Sequence, residues 1–378
     1  MCPRRLLSLA SALALLPTAL VAQGTLSTLG FGYPSGVFST RALGAGGATG
    51  EIDPLSSANP AAISAFGGSA LYFQAEPESR TLHVGNATES ARIARYPLIA
   101  AAVPLTETFM LGLSVSNLLD RSFQTSARRS QTVGDSSVLS TSAFKSDGAI
   151  ADLRLALAWA PQSWLRVGGG VHAITGDNRV RNTQVFDDTV RFASLVDTAT
   201  VGYSGSAVSA GFEAILGKAL SVAGSYRRGG GLSLQRGDTT ISRAHVPDRL
   251  AMSVAYLGIR GSSIAVRTSK DTWSRMAGLG SAGLRISDGW DTSVGADMLG
   301  PRFGPRAVQL RAGARWRTLP FGTVTSSVSE KSYSLGAGTS FARGRATLDF
   351  AGIRATREAG AGLSETANTL SVGVTVRP

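Results

Sequence analysis

The chain has 378 residues, of which 45 are glycine and one is cysteine, with a formal net charge of +12. The glycines keep no three-residue period and 43% of residues are hydrophobic, which excludes collagen and argues against a disordered chain. The basic residues form no dense run, the longest clusters being Arg128-Arg129 and Arg227-Arg228, so no nucleic-acid partner is expected.

Arg4 and Arg5 precede an apolar stretch from Leu6 to Leu16, which Pro17 breaks before the small residues Ala19 and Ala22. That order predicts a secretory signal peptide over residues 1–22, cleaved after Ala22, with Ala19 as the other candidate. The segment is short for a membrane anchor. Cys2 lies before the apolar core, so neither a lipoprotein nor a disulfide framework is expected. Loss of Arg4 and Arg5 lowers the formal charge from +12 to +10.

Residues 23–67 show no strand-like alternation. Arg41 to Gly50 is nearly all small, and Asp53-Pro54 and Asn59-Pro60-Ala61-Ala62 mark turns or a helix start, with Asn59 as N-cap. Small residues let backbone approach backbone, which suits a compact plug folded inside a barrel; a flexible periplasmic leader is the other reading. The candidate plug and gating residues are Arg41, Gly44, Gly46, Gly47, Asp53, Asn59 and Pro60.

From residue 68 the pattern alternates with period two, about ten residues at a time. Phe109, Leu111, Leu113 and Val115 oppose Met110, Gly112, Ser114 and Ser116; Leu153, Leu155, Leu157 and Trp159 oppose Asp152, Arg154, Ala156 and Ala158. Similar stripes predict strands at 69–83, 96–104, 107–118, 149–159, 163–175, 199–214, 219–235, 247–257, 262–271, 287–298, 307–317, 331–341, 344–356 and 366–376. Short turns then alternate with longer loops at 84–95, 119–148, 176–198, 236–246, 272–286, 318–330 and 357–365. The fold class is therefore all-β: a transmembrane antiparallel β-barrel of 14 strands over 68–378, with an N-terminal plug. A leucine and valine face must leave water, and a sheet in hydrocarbon must close so that no edge N–H or C=O is left unpaired. Tyr72, Phe73, Trp159, Trp164, Tyr256, Trp290, Trp316 and Phe341 are candidates for interfacial girdles. The opposite face carries the lumen-lining candidates Arg154, Arg166, Arg227, Arg311 and Arg315. These would repel unless acids, water or anions compensate them; they pin a plug or line an anion-friendly passage.

Catalytic signatures are missing. The three histidines fit no zinc spacing, the runs Gly168-Gly169-Gly170 and Gly229-Gly230-Gly231 lead into no Lys-Ser/Thr pair, and there is no GxSxG. No enzyme, metal or cofactor is expected.

The stretch 41–62, with its glycine run and Asn59-Pro60-Ala61, resembles the start of the FadL-like outer-membrane transport proteins. Tyr333-Ser334-Leu335-Gly336-Ala337-Gly338 and Ala346-Thr347-Leu348-Asp349-Phe350 look like the closing strands of that family. The resemblance implies a fourteen-stranded barrel with an N-terminal hatch. It implies passage of long-chain fatty acids or other small hydrophobic compounds, or, as in secretion-associated relatives, a scaffold or adaptor in protein secretion or surface assembly. The expected setting is the outer membrane of a Gram-negative-type bacterium. The expected partners are outer-membrane lipid and lipopolysaccharide, hydrophobic small-molecule cargo and the barrel-assembly machinery, with the protein a monomer. Two departures stand out: the basic lumen, and an ending in Arg377-Pro378 where such barrels often end in an aromatic residue.

Overall fold

A computed structural model describes residues 26–378 except 27–28, 86, 134–135, 189, 218, 281–283, 304–305, 324–325 and 361; the signal peptide expected over 1–22 lies outside the described residues. No helix among the described residues is long and apolar enough to cross a membrane. The chain instead closes an antiparallel barrel of 14 strands.

The strands are β1 (Ala70–Val84), β2 (Ala87–Arg95 with Leu98–Pro104), β3 (Phe109–Asp120 with Phe123–Val133), β4 (Ser136–Gln162), β5 (Leu165–Phe186), β6 (Leu195–Leu216) and β7 (Leu220–Arg236). They continue as β8 (Thr239–His245 with Arg249–Ile259), β9 (Ser262–Asp271), β10 (Arg285–Ile286 with Gly289–Phe303), β11 (Arg306–Gly322), β12 (Ser327–Phe341), β13 (Ala346–Glu358) and β14 (Leu363–Val376). Each pairs with its chain neighbour, and β1 closes on β14 through a register running from Leu71 opposite Val376 to Val84 opposite Leu363. Among the described residues no edge strand remains, which is what hydrocarbon requires of a sheet.

Alternation sets which face each residue takes. Leu153, Leu155 and Leu157 on β4 point outward, as do Leu250, Met252 and Val254 on β8 and Tyr333 and Leu335 on β12. Leu335 is 71% exposed and belongs to an outward row of large apolar residues that recurs from strand to strand, an apolar surface far larger than a soluble monomer leaves bare. Trp159, Trp164, Tyr256, Trp290 and Trp316 are outward too, and Phe109 stacks on Trp159 with ring centroids 5.9 Å apart. Tyr72 departs from the girdle expectation. It is buried in the lumen, where its hydroxyl accepts from Thr40 N at 2.8 Å and donates to Gln74 Oε1 at 2.8 Å. The parity of β1 explains this: Tyr72, Gln74 and Glu76 share one face, and two of the three need polar company.

The fourteen strands appear in the expected order, but the expected long loops other than 272–286 are more strand than loop. Residues 84–95, 119–148, 176–198 and 236–246 mostly continue their ladders into hairpins, with 123–133 pairing 136–146 and 178–184 pairing 195–201. The apolar stripe disappears there because neither face meets lipid, so a ladder persists without an alternating signature. A 3-10 helix, Trp273–Leu279, follows β9 at the same end.

Candidate functional site

The described part of the N-terminal segment crosses the space enclosed by the barrel. Tyr33 forms a two-bond antiparallel bridge with Asp120 of β3, its N–H donating to Asp120 O at 2.7 Å and its C=O accepting from Asp120 N at 2.8 Å. The chain then forms α1 (Thr40–Gly44), capped by Ser39, whose Oγ accepts from Ala42 N at 3.1 Å. After the glycine turn a 3-10 helix, Pro60–Phe66, starts at Asn59, whose Oδ1 accepts from Ala61 N at 2.9 Å.

Gly44 and Gly46 lie where the segment's backbone meets the wall, and Gly47 lies against the Phe38 ring, which a Cβ would approach to 3.0 Å. A Cβ on Gly44 would stand 3.2 Å from Gly336 Cα, and one on Gly46 would stand 2.9 Å from Ala314 N. Gly46 and Gly47 also take φ of +67° and +86°, a region that penalises any side chain. The wall reciprocates with glycine: Cβ atoms on Gly295 and Gly313 would lie 2.1 and 2.6 Å from Ala45 O. Asp53 Oδ2 accepts from Ser56 Oγ at 2.8 Å and from Ser39 Oγ, tying the two ends of this turn together. Asn59 Nδ2 donates to Glu51 O and to Phe212 O of β6, at 2.9 and 3.0 Å. Pro60 occupies the first helical position, and Arg41 reaches Asp297 at 3.3 Å.

Two aromatic side chains of the segment stand among arginines. Around the Tyr33 ring are Arg357, Arg317, Arg95 and Arg80, with guanidinium carbons 4.6, 4.8, 5.2 and 5.7 Å from the centroid. Around Phe38 are Arg267, Arg315 and Arg249, at 4.7, 5.0 and 5.7 Å. Each cation–π contact contributes about 0.5–2 kcal/mol, more where water is excluded. Carboxylates hold the cages together. Glu330 accepts from Arg317 Nε and Arg357 Nε at 2.6 Å each, and Glu365 from Arg357 at 2.6 Å. Glu78 accepts from Arg95 at 2.7 Å, and Asp120 also accepts from Arg95. Asp291 takes a bidentate pair from Arg315 at 2.8 and 2.7 Å and a third bond from Arg267 at 3.1 Å. The Tyr33 hydroxyl donates to Glu330 Oε2 at 3.0 Å and accepts from Arg357 at 2.9 Å. Burial raises its pKa, against the pull of Arg317 and Arg357, so it stays protonated.

The predicted lumen arginines all face inward and are all engaged. Arg166 meets Glu213 at 2.7 Å, Arg227 meets Asp152 at 3.3 Å, and Arg315 holds Asp291. Arg311 binds Asp297 and Asp349 at 3.1 and 2.6 Å, and Arg154 donates to Ser57 O of the N-terminal segment at 2.9 Å. Each of these five arginines thus has a carboxylate or a carbonyl partner among the described residues.

Sequence reasoning did not find Tyr33, Phe38, Glu51, Glu78, Arg95, Arg267, Glu330 and Arg357, and it placed Arg317 on the inward face without singling it out. A signal was there: Gln74, Glu76, Glu78 and Arg80 share one parity, as do Arg311, Arg315 and Arg317. One cavity between the segment and the wall, of about 120 Å³, has Tyr33, Phe38, Glu78, Arg95, Arg317 and Trp273 among its lining. Its lining is rich in charged side chains. The apolar layer lies beyond it, towards the long hairpins, where Leu26 and Phe31 pack with Leu119, Ile150, Leu232 and Phe321.

No protein-family model matches the chain, and no curated protein does. Solved structures do. A Pseudomonas aeruginosa FadL homologue superposes with a TM-score of 0.66 at 13% identity, covering 92% of this chain and 99% of that one. The chain has the FadL-like fold. The P. putida toluene transporter TodX (TM-score 0.59, 13% identity, 91% and 99% covered) and the CymD monoaromatic hydrocarbon channel (0.56, 15%, 91% and 97%) share it. A FadL-like barrel at this identity can carry different cargo on one architecture, so the site has to argue the function.

Proposed function

We propose that this protein is an outer-membrane channel for small hydrophobic compounds, long-chain fatty acids among them, with residues 23–67 acting as its plug. The apolar outward belt and its exposed tryptophans support placement in the outer membrane of a Gram-negative-type bacterium, in contact with lipid and lipopolysaccharide. The observation that carries the reading is the seating of Tyr33 and Phe38 in arginine cages across the lumen. A barrel without traffic needs no removable obstruction, and an aromatic ring in a cationic cage is a contact that can be remade. Arg41, Gly44, Gly46, Gly47, Asp53, Asn59 and Pro60 shape the plug; Arg154, Arg227, Arg311 and Arg315 fasten it or its surroundings. The neighbours' toluene and monoaromatic cargo support hydrophobic passage.

The test is uptake by a host lacking its own hydrophobic channel, together with organic extraction of the protein purified in mild detergent. Uptake of a hydrophobic compound and its recovery from the extract are expected. A folded barrel that does neither overturns the reading. One observation favours a second role, as a scaffold or adaptor in secretion or surface assembly. Leu139, Val185, Leu195 and Val196 are exposed on the long hairpins. On that reading Leu195→Arg abolishes association with a partner and leaves uptake unchanged.

A further inference from the structure

A second group of inward-facing side chains has the wiring of a nucleophile. Asp152 on β4, His172 on β5 and Ser209 on β6 stand on three adjacent strands. In the register His172 sits opposite Arg154 and Ala207, which makes Asp152 and Ser209 its diagonal neighbours on the lumen face. His172 Nδ1 lies 2.7 Å from Asp152 Oδ1, and Nε2 lies 2.8 Å from Ser209 Oγ. An ionised carboxylate only accepts, so it draws the proton to Nδ1 and leaves the Nε2 lone pair to take the seryl hydrogen.

The surroundings also fit. A cavity of about 20 Å³ is lined by Asp152, His172, Ser209, Ser225, Arg227 and Arg249, large enough for a water molecule. The Nε atoms of Arg227 and Arg249 are buried with no hydrogen-bond partner among the described residues, and Arg249 as a whole is only 8% exposed. A buried guanidinium N–H without an acceptor is costly and marks a place where an oxyanion would be welcomed. Gly170 leaves room beside the nucleophile: a Cβ there would come within 2.9 Å of Ser209 Oγ.

We propose that Ser209, His172 and Asp152 form a catalytic triad that hydrolyses carboxylic esters of small hydrophobic acyl groups inside the barrel. Ser209 Oγ attacks the ester carbonyl carbon while its proton passes to His172 Nε2. The carbonyl-to-alkoxy C–O bond breaks, and the alcohol leaves with that proton. Water, giving its proton to His172, then attacks the acyl-serine; the carboxylic acid departs and Ser209 recovers its hydrogen. Asp152 holds the imidazole tautomer throughout. Arg227 and Arg249 line the cavity in which the oxyanion develops. The sequence motifs of serine hydrolases gave no hint of this, because the three residues come from separate strands.

Val37, Ser57 and Ala58 of the N-terminal segment cover the cavity, so access rests on the proposal that this segment moves. The experiment therefore follows two readouts on the full chain in detergent, in wild type and in Gly46→Val, which loosens the segment. One is adduct formation by a fluorophosphonate probe, mapped to the peptide by mass spectrometry; the other is passage of a hydrophobic compound in proteoliposomes. The adduct is expected on Ser209, faster in Gly46→Val, with hydrolysis of p-nitrophenyl butyrate lost in Ser209→Ala. His172→Gln should slow adduct formation by about a hundredfold or more, the scale of a lost general base. A polar cluster that merely fills the lumen would give no covalent product. Ser209 left unmodified in both proteins overturns the triad, and passage through Gly46→Val in that case leaves the channel reading standing. Modified Ser209 with no passage in either protein supports the triad and counts against the channel.

Discussion

The two halves of the N-terminal segment are held by different physics. Residues 31–38 are anchored by rings and charges: Tyr33 and Phe38 sit among seven arginines whose carboxylate partners lie on β1, β3, β10, β12 and β14 and, through Glu51, on the segment itself. Residues 41–50 are anchored by the absence of side chains, with Ala45 and Gly46 pressed on Gly295, Gly313 and Ala314. The first contact is strong and couples many residues, since moving one ring disturbs several ion pairs. The second is steric, tolerating sliding along the wall and failing abruptly when a methyl group is added. A segment meant only to fill the barrel would need one such device. This segment has both.

The largest expected effect breaks the charged half. Arg357→Ala leaves Glu330, Glu365 and the Tyr33 hydroxyl without their shared donor in a buried setting. Removing one partner of a buried pair costs about 3–5 kcal/mol. A matching fall in the urea midpoint of the detergent-solubilised barrel is expected, and a loss below about 1 kcal/mol would show that the cage does not act as a unit. A smaller effect, of about 1–3 kcal/mol at the backbone, is expected for Gly46→Val, which puts a branched side chain at positive φ against Ala314. Its signature is functional: increased passage of hydrophobic compounds through a barrel whose strand content by circular dichroism is unchanged. Unaltered passage would mean that the glycine face is not what keeps the segment seated.

The same contrast explains what could be read from the sequence. Lipid demands apolar residues at every second position, so the outward face of β4, β8 and β12 was legible to the residue. The glycine run was legible because backbone contact admits few other residues. The cages were only half legible. Arg311 and Arg315 stood out because they lie opposite an unbroken apolar stripe, whereas Glu78, Arg95 and Arg357 lie on stretches where outward residues such as Ser79 and Arg92 are polar as well, so parity carried no label. The hairpins beyond the membrane failed for the same reason. Asp152, His172 and Ser209 were each visible, but only the register between three strands brings them together.

The smallest effect extends the comparison to those hairpins. Arg128 on β3 pairs with Asp187 just beyond β5, and this pair looks on paper like those of the cages. Its surroundings differ: the Arg128 side chain is 63% exposed, while Arg357 is 1% exposed. In water the attraction is screened and two long side chains lose freedom in making it, so such a pair is worth under about 1 kcal/mol. Arg128→Ala should therefore leave the urea midpoint within error of wild type, and the small difference should vanish in molar salt. A loss comparable with that of Arg357→Ala would mean that the hairpin charges are buried against something in the working protein. That result would shift weight from the channel to the scaffold reading, because hydrated tips cannot produce it.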